Sequence, residues 1–285
     1  MSNNQIIVVG GSGYIGKSLC LRVRDEFGGL ATSSTGGNGL LRLQLSVPNE
    51  FDYQIIHPFD VVLISAAISS PDICAREHDR AWDVNVKGTS DFISKVIDRG
   101  GRVIFFSSDT IYGERDDEFD ENASCNPAGE YAEMKREVEK RYLGNPQFKS
   151  IRLSYVFSKE DKFTKYLVGC VDRDEEAEIF HPFYRSVIHR DDVVDGAIAL
   201  ANDWDKFPQG IINFGGPEVL ARTDFAEILK EVSLSKLHFR VVEPEASFFK
   251  NRPRVIAMQS PILPKLLGRP VRALSEAAKF EFMSV

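Results

Sequence analysis

The sequence predicts a doubly wound α/β protein, a parallel sheet with helices on both faces. Three observations carry that expectation. Short, continuously apolar runs alternate with longer amphipathic stretches through the first half of the chain, the pattern of strands buried on both faces and joined by crossover helices. The first such run ends in a cluster of glycines, and a helix-periodic segment follows directly. The chain has 285 residues, 43% hydrophobic and 27% charged, which is ample for a large core.

Ile6–Val9 is a compact β-branched strand. Gly13–Phe27 follows with helical spacing at Ile15, Leu19 and Val23. Leu30–Ser33 and Leu41–Leu45 are short strands, and Asp60–Ala67 is an apolar strand bounded by polar turns. Asp72–Arg99 reads as one long helix stopped by Gly100-Gly101. Val103–Phe106 is the next buried strand. Tyr131–Leu143 is a helix opened by Pro127 and Gly129 and closed by Gly144-Asn145-Pro146, and Ile151–Phe157 is a further strand. The second half is less regular: Ser186–His189, Asp191–Asn202, Ile211–Phe214 and Thr223–Val232 read as strand, helix, strand, helix. Pro244–Pro264 is rich in Pro and Arg, and a short helix near Leu274–Phe282 ends the chain. There is no repeat, low-complexity tract or clean linker, so a second domain would consist of inserts that return to the first sheet.

Thirty-five Lys and Arg stand against 42 Asp and Glu, a net charge of -7. That balance argues against nucleic acid as a partner, since a phosphate backbone needs a basic footprint. Cys20, Cys74, Cys125 and Cys170 are scattered, with no C-x-x-C pair. They read as reduced thiols of a cytoplasmic protein, not as a disulfide scaffold or a zinc ribbon, and no metal is expected. The N-terminus has no basic n-region, and no apolar run approaches the ~18 residues that span a bilayer, so neither secretion nor a membrane is expected.

Two local motifs carry chemistry. Gly10-Gly11-Ser12-Gly13-Tyr14-Ile15-Gly16 lies between a strand and a helix. Gly10 permits a tight turn, Gly13 lets the backbone approach a pyrophosphate at the helix N-terminus, and Gly16 allows close helix–strand packing. Gly10, Gly13, Tyr14, Ile15 and Gly16 are therefore candidate dinucleotide contacts. Tyr131 and Lys135 are four residues apart on one helix face. A protonated amine beside a phenol favours the phenolate and lowers its pKa from ~10, which makes the tyrosine a usable acid or base.

The G-x-x-G-x-x-G spacing resembles that of the short-chain dehydrogenase/reductase superfamily, extended branch, whose second motif is Tyr-x-x-x-Lys. Phe105-Phe106-Ser107-Ser108-Asp109-Thr110-Ile111-Tyr112-Gly113 resembles the family's strand-end loop, where a Ser or Thr four residues before the aromatic contacts the substrate oxygen. The resemblance implies a Rossmann fold and a catalytic triad of Ser108, Tyr131 and Lys135. It places Ser33, Ser34, Ala66 and Ala67 against the cofactor, along with Tyr131 and Lys135. Asp83-Val84-Asn85-Val86-Lys87-Gly88-Thr89 resembles the family's N-V-x-G-T helix segment, with Asn85 architectural. Tyr184–Asp192 resembles the R-x-x-I-H-x-x-D segment of the branch's nucleotide-sugar enzymes, and Arg252-Pro253-Arg254 resembles their later R-P segment. This implies Arg185 and Arg252, with Arg254 as a fallback, on a substrate pyrophosphate, and Ser108 and Asp109 on the sugar.

Phe207–Pro217, the length and the Arg-Pro tail are most similar to the dTDP-4-dehydrorhamnose reductase group. The function so implied is NAD(P)H-dependent reduction of a keto group on a nucleotide-linked deoxysugar. The dinucleotide domain would be 1–157, completed by about 190–214, and the substrate domain 158–189 with 215–285. A homodimer is expected by analogy. The alternatives are a nucleotide-sugar epimerase of the same fold and a non-catalytic dinucleotide-binding regulatory subunit; the T-D-E of dehydratases is absent, since the run here is Ser108-Asp109-Thr110. Two departures bear on the cofactor. Ala31-Thr32-Ser33-Ser34-Thr35 has no carboxylate for a ribose 2′-hydroxyl, which favours NADP(H) over NAD(H), although no Arg or Lys follows closely. Leu43-Gln44-Leu45 replaces the L-D-L that touches the adenine.

Overall fold

A computed structural model describes residues 4–27, 29–115 and 117–283, without the side chains of 25–27. The first half runs β1 (Ile6–Val9), α1 (Tyr14–Phe27), β2 (Leu30–Ser33), β3 (Leu41–Arg42), β4 (Val61–Ile64), α2 (Pro71–Arg76), α3 (His78–Trp82), a π-helical turn (Asp83–Gly88), α4 (Thr89–Asp98), β5 (Arg102–Ser108), α5 (Glu130–Tyr142) and β6 (Phe148–Leu153). The second half runs β7 (Val156–Phe157), α6 (Lys162–Arg173), β8 (Ala177–Phe180), β9 (Tyr184–Ser186), β10 (Ile188–His189), α7 (Arg190–Asn202), β11 (Ile211–Phe214), β12 (Val219–Ala221), α8 (Arg222–Val232), β13 (Phe239–Val242), β14 (Val255–Ile256), α9 (Leu263–Leu267) and α10 (Leu274–Met283).

Seven parallel strands form the main sheet in the order β3-β2-β1-β4-β5-β6-β11. Because side chains alternate along a strand, the apolar runs feed two cores. Ile6, Val8, Leu63, Ile104 and Phe106 meet Leu19 and Val23 of α1 and Val193 and Ala197 of α7 on one face. Ile7, Val9, Val62, Ile64 and Phe105 meet Phe92 and Val96 of α4 and Val138 of α5 on the other. A third core joins α6, α8 and α10 through Phe163, Leu167, Phe225, Leu229, Leu274 and Ala278. Burying a side chain of this size contributes about 1.5–3 kcal/mol, so it is the strands apolar on both sides that hold the layers together.

The elements depart from the sequence reading where tertiary contacts intervene. The expected 72–99 helix is divided at Glu77, whose φ of -117° and ψ of 48° leave the helical region. The expected strand 151–157 is two strands: at Ser154 the chain leaves the main sheet, its hydroxyl donating to Asp109 (2.9 Å), and β7 pairs with β10 instead. The expected strand 41–45 ends at Arg42. The unforeseen α6 is capped by Asp161, whose carboxylate accepts from the amides of Phe163 and Thr164. Among the described residues, no helix is long and apolar enough to cross a membrane.

Candidate functional site

At the C-terminal end of β1 the chain turns through Gly10, whose φ is +95°. A Cβ on Gly16 would lie 2.0 Å from the Gly10 carbonyl oxygen, so only glycine lets α1 start this close to the turn. The turn opens onto a cleft of about 570 Å³ lined by Gly10, Gly13, Tyr14, Ile15 and Gly16, by Ser33 and Ser34, by Ala66 and Ala67, and by Tyr131 and Lys135. Every residue expected at a cofactor therefore lines one cleft. Thr32 also lines it, with a buried hydroxyl that has no hydrogen-bond partner among the described residues. A helix N-terminus, a glycine cradle and an unpartnered donor fit a dinucleotide. Tyr14 is also tied elsewhere: its hydroxyl lies 2.7 Å from that of Ser158.

Helix α5 carries Tyr131 and Lys135. Tyr131, Lys135 and Glu139 recur every four residues on one face. Glu139 is fully buried and is held by Arg152 of β6, whose Nη2 donates to it at 2.8 Å, and by Ser150 at 2.8 Å. This pair sets the helix against the sheet, and Lys135 Nζ then donates to the Phe106 carbonyl at 2.6 Å. The Lys135 ammonium lies 5.7 Å from the centre of the Tyr131 ring. Burial pulls Lys135 down to about 7, against the opposing pull of Glu139 and Cys74. The expected lowering of the Tyr131 pKa is not met: burial, with Cys74 and Asp109 nearby, holds the phenol above its ordinary value. Burial thus keeps the Tyr131 phenol protonated and leaves Lys135 only partly charged near neutral pH.

Ser108 ends β5 and Asp109 follows it, both outside the lining of that cleft. The Ser108 hydroxyl accepts from the Thr110 amide (3.2 Å) and donates to Asp109 (3.3 Å); among the described residues it makes no hydrogen bond with Tyr131. The Asp109 carboxylate is buried and pushed upward in pKa by that burial, with Arg185 opposing. Arg185, expected on a substrate pyrophosphate, is turned into the protein. It is 7% exposed, and its guanidinium donates to the carbonyls of Tyr184 (2.6 Å) and Pro253 (2.8 Å) and stands 3.8 Å from Asp109. Burial lowers its pKa to about 10. Three hydrogen bonds to the carbonyls of Tyr184, Pro253 and Arg254 make it brace the 253–254 backbone against β9.

Arg252 is presented differently. It donates two hydrogen bonds to Asp72 (2.9 and 2.6 Å) across 180 residues, and its guanidinium lies 4.8 Å from the centre of the Phe248 ring. Gly129 makes this approach possible: its φ is +85°, and a Cβ there would lie 2.9 Å from the Asn251 Cα. Arg252 lines a second cleft of about 630 Å³, together with Arg80 and Lys162. Ile68, Ser69 and Arg80 line both clefts, which therefore adjoin along these residues. Asn85 holds that junction, its amide exchanging hydrogen bonds of 2.8 and 2.9 Å with the backbone of Ile68. The sequence reading missed Arg80, Lys162, Glu139 and Arg152; only the i+8 position of Glu139 after Tyr131 was a usable signal. Arg254 pairs with Glu114 at 3.7 Å and is half exposed. No group of three His, Cys, Asp or Glu able to hold a metal occurs among the described residues.

Comparison with known proteins agrees with this geometry. A dTDP-4-dehydrorhamnose reductase of Aggregatibacter actinomycetemcomitans is 22% identical over 97% of this chain and 92% of its own. The methionine adenosyltransferase 2 subunit beta of Pongo abelii is 24% identical over 88% and 79%. Among solved structures, a dTDP-4-dehydrorhamnose reductase of Clostridium acetobutylicum superposes with a TM-score of 0.83 at 17% identity, covering 97% of this chain and 98% of that one. A UDP-glucuronic acid 4-epimerase of Bacillus cereus, solved with a fluorinated UDP-glucuronic acid and NAD, gives 0.80 at 18% identity and 97% coverage of both chains. A family model described as the RmlD substrate binding domain matches residues 4–279, and the chain belongs to that family.

Proposed function

We propose that this protein reduces a keto group on a nucleotide-linked deoxysugar at the expense of a nicotinamide dinucleotide, with NADPH preferred to NADH. The observation that carries the reading is the junction of the two clefts, taken here as one groove: a glycine-lined cleft that ends at Tyr131 and Lys135 adjoins a cleft walled by Arg80, Lys162 and Arg252. In this reading 1–157 with 190–214 hold the dinucleotide, and 158–189 with 215–285 hold the sugar nucleotide. The reduced nicotinamide, when bound, supplies the hydride. Tyr131, kept protonated by burial, gives its proton to the carbonyl oxygen. Lys135, fixed on the Phe106 carbonyl, positions a ribose hydroxyl beside Tyr131. Ser108 orients the carbonyl by turning its O–H from the Asp109 carboxylate to the substrate oxygen, while its oxygen keeps accepting from the Thr110 amide. The pyrophosphate lies on Arg252 and Lys162, where local cations overcome a net charge of -7.

The test mixes the protein with NADPH and a nucleotide-linked 4-keto deoxysugar and follows the nicotinamide absorbance. Absorbance should fall with the wild type, and Tyr131→Phe should cut the rate by ~10²–10⁴-fold with cofactor affinity nearly unchanged. A wild type that binds the dinucleotide but never consumes it would sink the reductase reading. The epimerase and the non-catalytic alternatives would then stand, and conversion of the sugar without change in absorbance separates the first from the second, for which there is a likeness to an adenosyltransferase subunit.

A further inference from the structure

We infer that Glu281, on the C-terminal helix α10, is a positioning residue for the dinucleotide: through Arg190 and Ser158 it holds Tyr14, and so the glycine turn, in its binding shape. The inference rests on the dinucleotide reading of the first cleft. Gly10, Gly11, Gly13 and Gly16 leave the turn much conformational freedom, so its shape needs an anchor. Tyr14 lines the cleft and supplies that anchor. The buried Ser158 hydroxyl accepts from the Glu160 amide (3.1 Å) and from Arg190 Nη1 (3.3 Å). With both lone pairs used, its proton goes to the Tyr14 hydroxyl oxygen at 2.7 Å. The Tyr14 hydroxyl in turn donates to the Val156 carbonyl at 3.4 Å. Arg190 is steered from α10, since its Nη2 stands 3.5 Å from Glu281 Oε1. Glu281 is buried and fixed from two further sides, by His189 Nε2 (3.0 Å) and by the Lys159 amide (3.2 Å). Arg272 lies 3.4 Å from His189 Nδ1 and can only donate there, which leaves the ring proton on Nε2 for Glu281. Burial opposes the Glu281 charge, but these donors and Arg190 hold its carboxyl below the ordinary carboxylate range. Ser158, Arg190 and Glu281 are not among the residues that line the cleft, so their effect reaches a dinucleotide through Tyr14.

Calorimetric titration of NADPH and NADH into the wild type, Tyr14→Phe, Glu281→Gln and the double variant tests this without turnover. Each single variant should weaken both dinucleotides by ~3- to 10-fold, since the turn faces the pyrophosphate they share. The double variant should bind no worse than the weaker single, because both substitutions cut one path. Ser158→Ala removes the middle of that path and should make a further Glu281→Gln silent. A lowered urea midpoint in Glu281→Gln with both affinities unchanged would give Glu281 a merely structural role and overturn the assignment. Losses that multiply in the double variant would overturn it as well, while leaving the dinucleotide reading intact. A wild type that binds neither dinucleotide would overturn that reading, and the assignment with it.

Discussion

The two halves of the groove are built by different means. The half at the glycine turn is walled by backbone and small residues of strand termini, and its one interior cation, Lys135, is pulled toward neutrality by burial. The other half is walled by long charged side chains from segments far apart in the chain, Asp72, Arg80, Lys162 and Arg252. A backbone wall recognises what every dinucleotide shares, a pyrophosphate and two riboses, and local sequence dictates it. A side-chain wall recognises what distinguishes one substrate from another, and it exists only once residues 72 and 252 have met. Arg185 and Arg252 show the same contrast at the scale of single residues. The first is sealed in with Asp109 and backbone carbonyls, whereas the second is held by an aspartate that is mostly exposed and can be displaced.

The largest effect that would break this contrast concerns stability. Arg185→Ala leaves Asp109 buried without its cation and should cost about 3–5 kcal/mol in urea unfolding. Arg252→Ala removes a pair whose aspartate is 61% exposed and should cost less than about 1 kcal/mol. Similar losses in both variants would mean that the two arginines do the same job.

The next effect sharpens the account of the first half. The Lys135 pKa is about 7 in the folded protein and ordinarily 10.5, so folding releases its proton between those values. Stability of the wild type relative to Lys135→Met should therefore be lowest and constant below pH 7. It should climb above it, with a slope approaching about 1.4 kcal/mol per pH unit, and level off near the ordinary value. A flat difference from pH 6 to 10 would show that the amine is not buried as a base.

Legibility in the sequence follows the same division. The parallel, doubly wound sheet, the glycine turn and the Tyr131/Lys135 face were readable because each rests on local periodicity or on a motif of seven residues or fewer. The breaks at Glu77 and Ser154 were not, because they answer to packing and to the hydroxyl of Ser154 finding Asp109 across 45 residues. Arg185 illustrates the limit most sharply. Its motif neighbours were readable, yet whether its guanidinium points inward is decided by the Pro253 and Arg254 carbonyls, 68 and 69 residues away.

The division of the groove is tested most directly by titrating thymidine diphosphate and NADPH separately into the wild type and Arg252→Ala. Loss of a charge-assisted contact should weaken the nucleoside diphosphate by roughly 10- to 150-fold and leave NADPH affinity unchanged. Undiminished binding of the diphosphate, or a parallel loss of both ligands, would contradict a groove with separate seats for cofactor and substrate.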